Sequence, residues 1–238
     1  MASGKSDAQQ MDARECPASG SSAARFDRLV ANDHSAFDAL PSERREAVID
    51  AALEEFGAHE YAHALTATIA QRAGISKGSL FFYFRNKREL YLYVMDWLTE
   101  RMTELVVDEE YRSIDDFFEL MRYASTKKAT VFRRFPRALD FCVRAYYPRH
   151  RDVKRTMDDY LATATAQAAE RYLSHVDRGR FREDMPMERV LDLLVWMADG
   201  YLHQQLRTTG HVDVDALIEE LDAWCDMLKR VSYKKEYL

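Results

Sequence analysis

T-A-T-I-A-Q-R-A-G-I-S-K-G-S-L-F-F-Y-F-R, residues 66 to 85, reads as two short helices joined by a tight turn. Ala70, Gly74 and Leu80 stand at the fifth, ninth and fifteenth positions of this window, the spacing of a DNA-binding helix-turn-helix. Each position has a steric reason. Ala70 is small where the second helix comes close, and Gly74 supplies the left-handed backbone that ends one helix and turns the chain. Ile75 and Leu80 fill the space between the helices. Thr66 and Ser76 carry hydroxyls where each helix needs an N-cap.

The flanking residues extend the pattern. Ile69-Ala70, Ala73-Gly74-Ile75-Ser76, Gly78, Leu80-Phe81, Tyr83-Phe84 and Lys87 follow I-A-x-x-A-G-V/I-S-x-G-x-L-Y/F-x-H/Y-F-x-x-K. Over about residues 37 to 95 the chain therefore resembles the TetR family of one-component transcriptional regulators. Beyond Met95 the resemblance is architectural, in length and helical pattern. Tyr83 stands where many relatives have His, and either side chain can donate to a phosphate.

Charge is unevenly distributed. The chain of 238 residues has a formal net charge of −6, which at first sight opposes DNA binding. Yet Arg72, Lys77, Arg85, Lys87 and Arg88 are the only charged residues from Thr66 to Arg88, whereas Arg180 to Asp226 carries four basic and eleven acidic residues. Screening makes the local patch matter more than the total. Three widely spaced cysteines, Cys16, Cys142 and Cys225, suit a reducing compartment. With no long apolar run and no signal-peptide order at the start, the expectation is a cytoplasmic protein that does not enter a membrane.

The remaining punctuation predicts an all-α chain. Residues 1–36, rich in Ser, Gly and Ala near their start, read as a flexible extension. Residues 37–86 form a three-helix reader whose first helix opens at Pro41 or Ser42 and ends at Gly57. Residues 87–238 form a larger helical domain for effector binding and dimerisation. Asn86 and Glu89 look like a capping box for a connecting helix over about Arg88 to Met102. Ser113, Asp184 and Asp213 are expected to cap later helices, and Pro136 and Pro148 to bound another.

Apolar stripes on the last two helices, Val190, Leu194, Met197 and Tyr201, then Leu217, Leu221, Trp224 and Leu228, fit either the domain's own core or a two-fold seam. The resemblance implies that they pair with their symmetry mates. Phe117, Met121, Phe141 and Trp196 are candidates to line an effector cavity, although most such aromatics serve as core. Ten basic residues between Lys127 and Arg155 face only two acids in the same stretch. They fit a cationic wall for an anionic effector, a further DNA-facing surface, or a solvated face balanced by acids such as Asp108.

Other chemistry is poorly supported. His59-Glu60-Tyr61-Ala62-His63 matches H-E-x-x-H, but it falls in a short connection rather than on a helix that would align both imidazoles on zinc. No metal, cofactor or catalytic residue is expected. The alternatives are a zinc-dependent enzyme at His59 and His63, or a DNA-bending protein with little sequence choice. The resemblance implies a homodimer that places two readers on a double-stranded palindromic operator and responds to a small-molecule effector, usually as a repressor and in some relatives as an activator. The DNA-binding residues would be Thr66, Ser76, Lys77, Gly78, Ser79, Phe81, Phe82, Tyr83 and Lys87, with Thr66, Tyr83 and Lys87 on phosphates.

Overall fold

Caps and glycines divide residues 33–238 into helices. The computed structural model describes these residues, apart from the side chains of 164–170. In chain order the helices are α1 (Ser35–Asp38), α2 (Ser42–Ala58), α3 (Thr66–Arg72), α4 (Lys77–Tyr83), α5 (Lys87–Val106), α6 (Glu109–Ser113), α7 (Phe117–Arg134), α8 (Ala138–Tyr146), α9 (Arg151–Tyr172), α10 (Met187–Thr209) and α11 (Val214–Ser232). The fold is all-α, with one isolated antiparallel bridge between Phe181 and Tyr233 among the described residues. Most of the expected extension, and Cys16 with it, lies outside the described residues. Its last residues are described: His34 is buried and Ser35 opens α1, whose Phe37, just after the extension, is buried as well.

Several expected caps form. Ser76 accepts from the Ser79 amide, Asn86 from Glu89, and Asp213 from Asp215 and Ala216. Others are corrected. Ser113 ends the short α6, and Asp116 caps α7 by accepting from Phe118 and Glu119. Asp184 is drawn away by Arg182, with contacts of 2.9 and 2.6 Å, so α10 starts after Pro186 without a side-chain cap. The Glu89 carboxylate does not close the capping box. It lies buried, 2.9 Å from His34 Nε2, and ties the chain before α1 to α5.

Gly57 is the most instructive correction. It lies within α2, which continues to Ala58. A Cβ there would stand 2.7 Å from Arg137 Cβ and closer still to the Arg137 carbonyl oxygen. Glycine is needed because the start of α8 crosses α2 at this point, and close packing leaves no room for a methyl group.

Two apolar clusters result. The first joins Phe37, Leu53, Phe56, Ile69, Leu80 and Phe84 to Leu90 and Val94 of α5, then to Phe141, Cys142, Met157 and Val212. The reader, the connecting helix and α8 therefore share one core. The second contains Phe117, Phe118, Phe181, Val190, Leu194, Cys225, Leu228 and Tyr233. Val190, Leu194 and Leu228 of the expected seam thus face their own domain, and Met197, Leu221 and Trp224 pack partly against it. Leu217 packs partly on the first cluster, while Tyr201 meets Trp224 edge-on with ring centroids 5.7 Å apart. The outward apolar residues of α10 and α11 are others, Val195, Trp196, Met227 and Val231.

Candidate nucleic-acid interface

The reader is assembled from α2, α3 and α4. Thr66 does not cap α3. It is the first residue inside that helix, and Leu65 holds the cap position. The buried Glu55 of α2 instead accepts the Leu65 amide at 2.8 Å and faces Arg72 at 3.7 Å, so its carboxylate braces both ends of α3. Gly74 takes φ 67°. The Ile75 amide returns to the Ala70 carbonyl at 3.0 Å and the Gly74 amide to Gln71 at 3.2 Å, the paired bonds of a Schellman ending. Ser76 then opens α4, its Oγ 2.9 Å from the Ser79 amide and 2.8 Å from Ser79 Oγ.

This framework leaves a particular face of α4 exposed. Leu80 is buried against α2 and α3, while Phe81 and Tyr83 are half-buried. Lys77 is exposed, with its ammonium 5.8 Å from the Phe81 ring centroid. Tyr83 packs on Phe37 at 5.6 Å between centroids. Gly78 and Phe82, one helical turn apart, both point outward, and Phe82 is 74% exposed. A Cβ on Gly78 would meet only Ser76 Oγ, at 3.6 Å, an ordinary contact. Nothing inside the protein requires a glycine there.

Lys87 has a role that its sequence position did not suggest. Its ammonium donates to the carbonyls of Tyr61 at 2.6 Å, Ala64 at 3.1 Å and Ala62 at 3.3 Å, and lies 4.5 Å from the Tyr61 ring centroid. These bonds use all three of its protons. Burial draws its pKa below the usual lysine value, against the opposing effect of Asp152. The His59–His63 segment forms the turn that Lys87 closes, with the His63 and Ala64 amides returning to the Glu60 carbonyl at 2.9 and 3.1 Å. Burial pushes the Tyr61 phenol up to about 12, assisted by Asp152. Glu60 pairs with Arg144 at 3.2 Å. Among the described residues no group of His, Cys, Asp and Glu could hold a metal ion.

Behind the reader, α8 grips α2 and α9 grips the connecting helix α5. Arg144 Nε donates to the Gly57 carbonyl at 2.8 Å. Arg88 donates to the Asp152 carbonyl at 2.7 Å and to Thr156 at 2.8 Å. The basic stretch from Lys127 to Arg155 is largely resolved into such pairs, including Lys127 with Asp108 at 3.0 Å, Arg137 with the buried Asp140 at 2.8 Å, and Arg133 with Asp215 at 2.5 Å. Asp140 also accepts the Val212 amide at 2.8 Å and lies 2.7 Å from His211, which ties α8 to the turn between α10 and α11.

Residues 48–94, spanning α2 to α5, match the family model of bacterial regulatory proteins of the tetR family. Over these residues the chain is similar to the DNA-binding region of tetR-family regulators. No curated protein matches it significantly. Similar solved structures include a TetR family transcriptional regulator from Chloroflexus aurantiacus J-10-FL, 22% identical with a TM-score of 0.60 over 84% of this chain and 98% of that one. SmeT, the repressor of the Stenotrophomonas maltophilia multidrug efflux pump SmeDEF, is 18% identical, with a TM-score of 0.56 over 82% and 92%. FadR from Bacillus subtilis, solved in complex with stearoyl-CoA, is 15% identical, with a TM-score of 0.58 over 76% and 96%. At these identities the likeness establishes the fold.

The candidate effector residues are not brought together. Phe117 is buried in the second cluster with Met121 packed at its edge, and Phe141 is buried in the first, where its ring meets Tyr91 at 5.0 Å. Trp196 is 66% exposed on α10. Sequence reasoning missed Glu55, Gly57 and Arg144 as parts of the reader's support. Glu55 alone left a signal, as an acid on the buried face of α2. Among the described residues no helix is long and apolar enough to cross a membrane.

Proposed function

We propose that this protein is a transcriptional regulator, a homodimeric repressor that places two copies of α4 in successive major grooves of a palindromic operator and is released by a small-molecule effector. The observation that carries the DNA-reading half is the exposed Gly78 face of α4. A glycine inside a helix costs about 0.5–1 kcal/mol relative to alanine, and no internal contact offsets that here. Close approach of an external surface gives it a purpose. Lys77 and Ser79 would lie near base edges and flanking phosphates, with Thr66, Ser76 and Tyr83 fixing register. Phe81 supports Lys77 from the side. Lys87 holds the 60–64 turn beneath α3, so its part in binding is indirect.

Dimerisation through α10 and α11 is supported by their outward face. Trp196, Val195, Met227 and Val231 are exposed large apolar residues on these two helices. Gly200, one turn beyond Trp196, has open space around the position of a Cβ. A partner helix crossing there would cover the tryptophan and use the glycine for close approach. Leu217, Leu221, Trp224, Met197 and Tyr201 would then support the seam from within the protomer.

Release would travel through α8. Its first residues touch α2 at Gly57, and Arg144 holds the Gly57 carbonyl, so a displaced α8 moves the reader directly. Effector and operator would be linked reciprocally. The test is competition binding. Fluorescence anisotropy with a selected operator and with random duplex should give affinities differing by at least a thousandfold. Equal affinities would favour a DNA-bending role.

A further inference from the structure

Helix α4 reads K-G-S-L-F-F-Y and holds no Arg, Asn or Gln. Of the side chains that usually recognise guanine and adenine by paired hydrogen bonds in the major groove, it holds only Lys77. Lys77 lies beside the Phe81 ring, and the Ser79 hydroxyl is 2.8 Å from that of Ser76. The large apolar side chain that α4 leaves exposed is Phe82, at 74%. On a helix each side chain leans toward the N-terminus, over the residue one turn earlier. For Phe82 that residue is Gly78, which has no side chain, and the ring itself meets Tyr83 edge-on with centroids 5.5 Å apart. Phe82 and Gly78 thus leave an apolar ring and a stretch of bare backbone exposed on one face of α4.

We infer that Phe82 is the specificity-determining residue of α4 and that it selects the 5-methyl group of a pyrimidine, thymine in unmodified DNA. This rests on the reading of α4 as the groove-binding helix and states what that helix recognises. The thymine methyl is the one apolar group on a base edge in the major groove. An exposed phenyl ring can gain by desolvating it and has no hydrogen bond to offer the polar edges of guanine, adenine or cytosine. Half-buried Phe81 and Tyr83 are turned toward the protein and lack this freedom. Cytosine bearing a 5-methyl group presents the same methyl, so the ring would also respond to cytosine methylation at that position.

The test begins with an operator selected by the protein from random duplex DNA. Each thymine of the half-site is then replaced singly by uracil, which keeps the base pair and removes only the methyl group. Anisotropy titrations should reveal one thymine per half-site whose replacement weakens binding about fourfold, and about fifteenfold when both half-sites are changed. Phe82→Ala should bind thymine and uracil duplexes alike at that position, and Phe82→Leu should retain part of the preference. Replacing that thymine–adenine pair by cytosine–guanine should weaken binding, and 5-methylcytosine should recover part of the loss with the parent protein only. A methyl effect that persists in Phe82→Ala would overturn the inference. So would an operator insensitive to every uracil, or an equal loss on all duplexes, which would mean a sugar contact. If selection returns no consensus, the DNA-reading proposal itself falls, and this inference with it.

Discussion

Gly78→Ala should make the protein more stable and a worse DNA binder. Gly78 is the second residue of α4, and the added methyl would meet only Ser76 Oγ at 3.6 Å. The fold therefore gains the helix preference of alanine over glycine, about 0.5–1 kcal/mol, without steric cost. For a domain of this size that raises the melting temperature by roughly 1–4 °C. On DNA the same methyl intrudes between the helix and the groove. Overpacking of a close contact costs about 1–3 kcal/mol, or roughly five- to 150-fold in affinity per reader. Calorimetry and anisotropy on the same preparation give both numbers. A variant that is stabilised and binds its operator as tightly as the parent would refute the reasoning, because Gly78 would then have no external surface to accommodate.

Gly57→Ala should act in the opposite way, since its methyl would collide with the Arg137 backbone. A net loss of about 1–2 kcal/mol in urea unfolding is expected after the helix gain is subtracted, and a gain would exclude the close α2–α8 crossing. Lys87→Met should cost about 1–3 kcal/mol of stability by leaving the carbonyls of Tyr61, Ala62 and Ala64 unpaired. The salt dependence of DNA binding should keep its slope, and a slope lower by about one would return Lys87 to the phosphates. Trp196→Glu should sediment as a monomer with an unchanged helical spectrum and weakened operator binding, because it places a charge in the apolar contact between protomers. A stable dimer would move the interface elsewhere.

Where structure depends on neighbours in sequence, the residues announced it. The left-handed Gly74, the Ser76 and Asn86 caps and the Asp213 cap each depend on atoms within a few positions. Where a residue answers to a distant partner, local reading failed. Gly57 looked like a helix end because its reason, the Arg137 backbone, lies 80 residues away. Glu89 took His34 instead of its own helix terminus, and Lys87 took the carbonyls of a turn before α3. The stripes of α10 and α11 show the same limit. Periodicity reveals that a helix has an apolar face, and both the inward row at Val190 and Leu194 and the outward row at Trp196 are apolar. Only packing distinguishes them. Effector residues were the least legible, since an aromatic filling a core and one lining a cavity have the same spacing.

Selection of bound sequences from random duplex DNA tests the central claim most directly. The account predicts a two-fold symmetric consensus with half-site centres about 10 base pairs apart, one helical turn, matching two α4 helices in one dimer. Recovery of no consensus, with random duplex bound as tightly as any selected sequence, would contradict it.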